Sequence, residues 1–246
     1  MTAASRPTQA RQARQAWQAQ GAWQAQGARQ AQGPAGAESN GPPREEGEFR
    51  RPDLVELKRL DRTIRLDIRY ATARNFVGRP VYREARAFLQ RPAAHALVRV
   101  HRSLRKQGYG LVVFDGYRPW RVTKLFWDLT PEDKKQFVAD PARGSRHNRG
   151  CAVDLTLYDL KTGRQVEMPS AYDDFTERAH INYAGGTEEQ RRLRDLLRAA
   201  MEAEGFSPYE PEWWHYDYKD WRQYPILDLE FSEVAGRRQS GTSRRK

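Results

Sequence analysis

Three short segments of the chain carry residue types that could do chemistry. In Ser145-Arg-His-Asn-Arg-Gly-Cys-Ala-Val-Asp154, His147 stands in a polar loop and Asp154 inside an otherwise apolar run. A bare carboxylate is costly to bury unless something meets it. A metal ion shared with a nearby imidazole is one such partner; a salt-bridged aspartate behind a capped loop is the other reading. Glu212-Trp-Trp-His215 offers a second imidazole and a second carboxylate three residues apart. Two histidines and one carboxylate form the ligand set of zinc hydrolases that keep a fourth position open for water, and a spare glutamate supplies their general base. A regular strand raises an objection, because residues three apart point to opposite faces. Either the backbone bulges or twists at 212–215, or only one of the pair enters a site and the segment is an aromatic strand with Trp213 and Trp214 in the core. Finally, Asp115-Gly-Tyr-Arg-Pro119 follows directly on the apolar run Leu111-Val-Val-Phe114. An arginine leaving the end of a core strand can turn its planar fork to a cleft, to hold a carboxylate or a developing oxyanion, or pair structurally with an aspartate.

These segments need a scaffold, and the pattern around them predicts one. Leu54-Val-Glu-Leu and Ile64-Arg-Leu-Asp-Ile-Arg-Tyr70 alternate at period two, as strands do. Between Ala85 and Gln107, Phe88, Leu89, Leu97, Val98, Val100 and Leu104 recur at helical spacing, with Pro92 as a break and Gly108 as the stop. Leu111–Phe114 reads as a buried strand, and Pro119 to Phe126 and Pro131 to Val138 as helices opened by proline. Cys151–Tyr158 is a strand with a turn at Lys161-Thr-Gly163 and a hairpin partner near Val166. Thr187 with Gln190 forms a capping box for a helix running to Glu204 and ending at Gly205. Glu212–Tyr218 closes the set as a strand. Such irregular interleaving predicts an α+β domain with a central antiparallel sheet flanked by helices.

Composition narrows the function classes. The chain of 246 residues has a formal net charge of +11, which would ordinarily suggest an anionic partner. Residues 1–52 hold seven arginines against four glutamates, and 236–246 hold five basic residues and no acid, so 53–235 keeps 31 basic and 28 acidic residues. That balance, with no recognition motif, excludes nucleic acid as the expected partner. No apolar run approaches the roughly 20 residues of a membrane helix. A single cysteine, Cys151, allows no internal disulfide. Residues 1–33 are built from Gln, Ala, Arg and Gly with only Trp17 and Trp23 for bulk; so little apolar surface predicts disorder. The expected organisation is a low-complexity extension over 1–52, one domain over 53–235 and a basic, disordered tail over 236–246. Without an apolar secretory segment near the start, a cytoplasmic location is expected.

Taken together, Asp115-Gly-Tyr-Arg-Pro, Ser145-x-His-x-x-Gly-x-Ala-x-Asp and Glu212-x-Trp-His resemble the D-alanyl-D-alanine dipeptidases associated with vancomycin resistance, in the zinc D,D-peptidase group. The resemblance covers about residues 54–230 and includes Tyr70-Ala-Thr-Ala-Arg-Asn-Phe-Val-Gly and Asp173-Asp-Phe-Thr-Glu-Arg-Ala-His180. It implies one zinc per chain held by His147, Asp154 and His215, with Glu212 as base and Arg118 facing the tetrahedral oxyanion. It further implies a dipeptide pocket lined by Tyr70, Ser145 and Asp173, where Asp173 reads the substrate ammonium and Ser145 its carboxylate end. The stretch between Arg118 and His147 is shorter than in the enterococcal enzymes, and Asp174 replaces an aromatic; both departures fall on the pocket rim. Two other readings share the zinc set: a D,D-carboxypeptidase acting on peptidoglycan pentapeptide, and a non-catalytic zinc-containing binding module. Retention of both Glu212 and Arg118 argues against the second. Oligomeric state is not legible.

Overall fold

A computed structural model describes residues 41–235. Most of the extension expected to be disordered, and all of the basic tail, lie outside the described residues. In chain order the elements are β1 (Leu54–Glu56), α1 (Leu57–Leu60), β2 (Arg65–Leu66), β3 (Phe88–Gln90), α2 (Arg91–Arg105), β4 (Tyr109–Asp115), α3 (Trp120–Leu129), β5 (Ala152–Asp159), α4 (Glu188–Glu202), β6 (Phe206–Tyr209) and β7 (Glu212–Tyr218). A five-stranded sheet runs in the order β2-β4-β5-β7-β6, and β1 pairs with β3 in a small second sheet. All pairings are antiparallel except β2 beside β4. The architecture is therefore α+β with a mainly antiparallel sheet. No helix among the described residues is long and apolar enough to cross a membrane.

Alternation along the strands separates two faces. Leu111 and Val113 of β4, Val153, Leu155 and Leu157 of β5 and Tyr216 of β7 join the main core with Leu97, Val100 and Leu104 of α2 and Leu193, Leu197 and Met201 of α4. The intervening residues, among them Asp154, His215 and Asp217, are thereby turned to the other face. There the functional groups collect.

Several elements differ from the sequence pattern. Pro92 does not break a helix; it occupies the first turn of α2, where no intrahelical donor is needed. Phe88 and Leu89 consequently belong to β3 rather than to a helix. The strand expected over Ile64–Tyr70 shrinks to Arg65–Leu66, and Tyr70 lies in a 3-10 turn, Arg69–Ala71. Side chains cause this: Asn75 Nδ2 donates to the carbonyls of Arg69, Thr72 and Arg79, and such local bonds compete with strand ladders. Glu132–Phe137 is a 3-10 segment, not an α-helix, and buries no residue that would pack it. The capping box at Thr187 and Gln190 is present, and Val166 N–H bonds to Leu157 C=O beyond the expected turn. Residues 41–52 lie against the domain: Glu45 accepts from Arg149 and from the Ile226 N–H at 2.6 Å, and the Arg50 N–H donates to Gln223 C=O at 2.7 Å.

Candidate metal centre and active site

The site is built where β4, β5 and β7 meet. Asp154 and His215 are directly opposed partners across β5 and β7, and Asp115 faces Asp154 across β4 and β5. His147 arrives from the loop before β5, in a single 3-10 turn over His147–Arg149. Gly150 ends that turn at φ +68°, where a Cβ would come within 2.4 Å of Leu54 Cδ2; only glycine fits a left-handed position so crowded. Asn148 fixes the loop through Nδ2, which donates to Arg118 C=O and Thr123 Oγ1.

His147 Nε2, His215 Nδ1 and Asp154 Oδ1 converge: the imidazole nitrogens are 3.1 Å apart, and the carboxylate oxygen lies 3.3 and 3.0 Å from them. The outer nitrogens explain the inner ones. His147 Nδ1 is 2.7 Å from Gly116 C=O, and His215 Nε2 is 3.0 Å from Asp217 Oδ1. Both outer nitrogens therefore carry protons, which leaves lone pairs on the inner nitrogens aimed at a carboxylate oxygen. Three such atoms need a positive charge among them. Burial opposes a charge on His215, yet Asp217 and Asp154 hold its pKa well above the ordinary imidazole value, so the surroundings favour positive charge at these donors. A divalent cation among the three atoms would supply that charge. His147, Asp154 and His215 thus form a fitting donor set for a metal ion.

Of the alternatives left open at 212–215, the structure shows a register irregularity. Pro208 pairs with Tyr216 and Tyr209 with Glu212, so β7 carries extra residues between positions that are adjacent on β6. This irregularity brings Glu212 and His215 to one face, with Glu212 Oε2 3.7 Å from His215 Nδ1. Glu212 keeps a fifth of its side-chain surface, yet the surrounding protein pushes its carboxyl up to about 7, chiefly by desolvation.

Arg118 pairs with an aspartate and also borders a cavity. Its Nε and Nη2 donate to Asp115 Oδ2 at 3.0 and 2.8 Å, and Nη2 also stands 3.9 Å from Asp154 Oδ2. Asp115 Oδ1 accepts from Tyr82 Oη and the Gly116 N–H. The guanidinium is fixed, and it lines a cavity of about 160 Å³ with Tyr70, Ser145, His147, Asp154, Asp173, Glu212 and His215. All eight candidate residues therefore border one space. Tyr70 Oη donates to Asp173 at 3.2 Å. Asp173 has φ +58°, the one described non-glycine residue with positive φ, a cost tolerated where surroundings enforce it, often at functional sites. Desolvation, then Asp154 and Glu212, raise its carboxyl pKa well above the ordinary range. Ser145 Oγ accepts the His147 N–H at 3.2 Å. Phe76, Phe126, Phe137 and Phe175 complete an aromatic wall.

Three contributors were not singled out in the sequence. Tyr172 Oη donates to Asp154 Oδ2 at 3.0 Å, Asp217 holds His215, and Arg146 lines the cavity. Asp217 was accessible to strand alternation, two residues beyond His215; the other two carry no local signal.

Comparison with known proteins gives one consistent picture. The Peptidase_M15 profile, described as D-ala-D-ala dipeptidase, matches residues 50–235. The D-alanyl-D-alanine dipeptidase of Escherichia coli K12 is 34% identical over 180 residues, covering 73% of this chain and 92% of that protein. Those of Enterococcus faecium and Enterococcus faecalis are 38% and 37% identical, covering 68% and 69% of this chain and 92% of each relative. A solved LD-carboxypeptidase described for peptidoglycan recognition aligns at TM-score 0.35 and 21% identity over 61% of this chain and 69% of its own, too distant to carry an argument.

Proposed function

The chain belongs to the Peptidase_M15 family of D-Ala-D-Ala dipeptidases, and from that premise we propose that it hydrolyses D-Ala-D-Ala to two D-alanines with one zinc ion held by His147, Asp154 and His215. When bound there, zinc supplies Lewis acidity, lowering the pKa of water toward ~7 and polarising a carbonyl. The convergence of three donor atoms beside Glu212 and Arg118 is the observation that supports this reading most directly.

The chain's own residues do the rest. Glu212 borders the donor atoms without belonging to the tight triad, the place of a base that accepts a proton from the attacking water. The hydroxyl adds to the carbonyl carbon, the C–N bond breaks, and Glu212 returns the proton to the departing amine. Arg118, immobilised by Asp115, presents a fixed positive fork to the oxyanion as it develops; one such donor typically contributes about 3 kcal/mol. Its orientation is settled in advance by Asp115, Tyr82 and the backbone of Gly116, so no reorganisation accompanies the reaction. Asp173, steadied by Tyr70, is the acceptor for the substrate ammonium, and Ser145 lies toward the carboxylate end. The phenylalanine wall excludes water from the alanine methyl groups.

A substrate panel assayed for released amine tests the proposal, with and without chelator. Strong chelator-sensitive cleavage of D-Ala-D-Ala is expected, with little cleavage of L-Ala-L-Ala. Comparable cleavage of a muramyl pentapeptide would replace this reading with the carboxypeptidase one. Binding without any turnover would favour the non-catalytic module.

A further inference from the structure

Among the charged groups lining the cavity, Arg146 has no place in the mechanism above. It sits between Ser145 and His147 and borders the same space. Its Nε is enclosed and makes an ion-pair contact with Asp217 Oδ2 at 3.3 Å, without the geometry of a hydrogen bond. Its guanidinium carbon stands 4.9 Å from the centre of the Trp221 ring. One edge of the fork is thereby held, while the side chain keeps 41% of its surface exposed. Among the described residues its terminal nitrogens make no hydrogen bond.

We propose that Arg146 is the cation that binds the C-terminal carboxylate of the dipeptide, a refinement that rests on the dipeptidase reading. Charge matching within the cavity leads to this. A free dipeptide presents an ammonium and a carboxylate. The carboxyl groups of the wall are Asp154, Asp173 and Glu212, and the guanidinium groups are Arg118 and Arg146. Arg118 gives two donors to Asp115 and is turned toward Asp154, so a second anion there would compete with the reacting centre. Ser145 offers only a neutral hydroxyl, and that oxygen already accepts the His147 N–H. Arg146 remains, near Tyr209 and Asp217, whereas Asp173 stands with Tyr70 and Arg118. A zwitterion thus finds a carboxyl group for its ammonium and a guanidinium for its carboxylate, each held by different neighbours, with the metal donors in the same cavity. An arginine suits this place because its planar fork can spend one edge on Asp217 and still pair with a carboxylate through the other, which a lysine ammonium does less well.

The test crosses the protein with the substrate. Wild type, Arg146→Ala and Arg146→Lys, each with metal content measured, are assayed on D-Ala-D-Ala and on D-Ala-D-alaninamide, which lacks the carboxylate charge. Calorimetric binding of a phosphinate analogue of D-Ala-D-Ala, with and without its terminal carboxylate, accompanies the kinetics. In Arg146→Ala we expect kcat/KM for D-Ala-D-Ala to fall about 10- to 100-fold, mostly through KM. The amide should change less than about threefold, zinc should stay bound, and lysine should restore part of the loss. The phosphinate with a carboxylate should lose affinity in the variant while the one without should not. Equal losses for both members of either ligand pair would overturn the assignment, as would no loss or a loss of zinc. A wild type that binds the phosphinate but leaves D-Ala-D-Ala intact would refute the dipeptidase reading alone, and the phosphinate pair would still decide the role of Arg146.

Discussion

His101 should make the stability of this protein fall on mild acidification, by an amount the structure allows to be worked out. It lies fully buried in α2. Its Nδ1 accepts the Leu111 N–H at 3.1 Å, and Nε2 is 2.9 Å from Thr63 Oγ1, which donates its own proton to Asp61. The ring is therefore neutral with its proton on Nε2, and a second proton on Nδ1 would meet the Leu111 N–H head on. Burial, aided by Arg105 and Arg102 against the pull of Asp61, lowers its pKa from 6.5 to about 4. Below pH 6.5 the unfolded chain takes up a proton that the folded chain refuses until about pH 4. Stability present at neutral pH is thus lost as pH falls from 6.5 toward 4. At pH 5, roughly 1.5 units below the unfolded value, the loss is about 2 kcal/mol at ~1.4 kcal/mol per unit; solvent screening around the two arginines brings the working figure to ~1–2 kcal/mol. Urea unfolding of wild type and His101→Gln at pH 8 and pH 5 isolates the effect, since other titrating groups cancel between the two proteins. The wild type should lose ~1–2 kcal/mol more than the variant. Equal losses would refute the reasoning. The bond concerned ties α2 to β4, the strand that ends in Asp115 and leads to Arg118.

Other outcomes follow from the site. Alanine at His147, Asp154 or His215 should abolish both the one zinc per chain and turnover, whereas Glu212→Gln should keep the metal and lose about 10²- to 10⁴-fold in kcat; metal analysis beside the kinetics separates a base from a ligand. Asp217→Asn should weaken zinc binding about 10- to 100-fold, read by competition with a chromophoric chelator, because Asp217 orients His215. N-acetyl-D-Ala-D-Ala should be cleaved far more slowly than the free dipeptide, by ~2–5 kcal/mol in kcat/KM, and the discrimination should shrink in Asp173→Asn; equal discrimination in that variant would remove Asp173 from the ammonium site.

The sequence exposed the site's chemistry better than its geometry. Asp154, Glu212 and His215 stood out because polar groups in apolar or aromatic runs are costly without a purpose, and His147 because it precedes Asp154 by only seven residues. Whether Glu212 and His215 share a face depended on β6, which the pattern did not reveal because the strand is short, lies at the sheet edge and contains Pro208. Pro92 misled for a related reason: its effect on a helix is decided by position, and only the pairing of Phe88–Gln90 with β1 sets where α2 begins. Tyr172 and Arg146 act on partners brought together by tertiary folding, 18 and 71 residues away in the chain, where no local periodicity reaches.

The opposition of Asp154 and His215 has a mechanical side as well. β5 joins β7 over only three registered positions, Ala152–Asp217, Val153–Tyr216 and Asp154–His215, and β6 reaches the sheet only through β7. An ion gripped by Asp154 and His215 would act as a rivet through the last of those positions, fastening the outer two strands to the rest. Pulling the rivet should leave the protein folded but let that margin breathe, so amide exchange over Phe206–Tyr218 would quicken on metal removal well before the α2 and β4 amides respond.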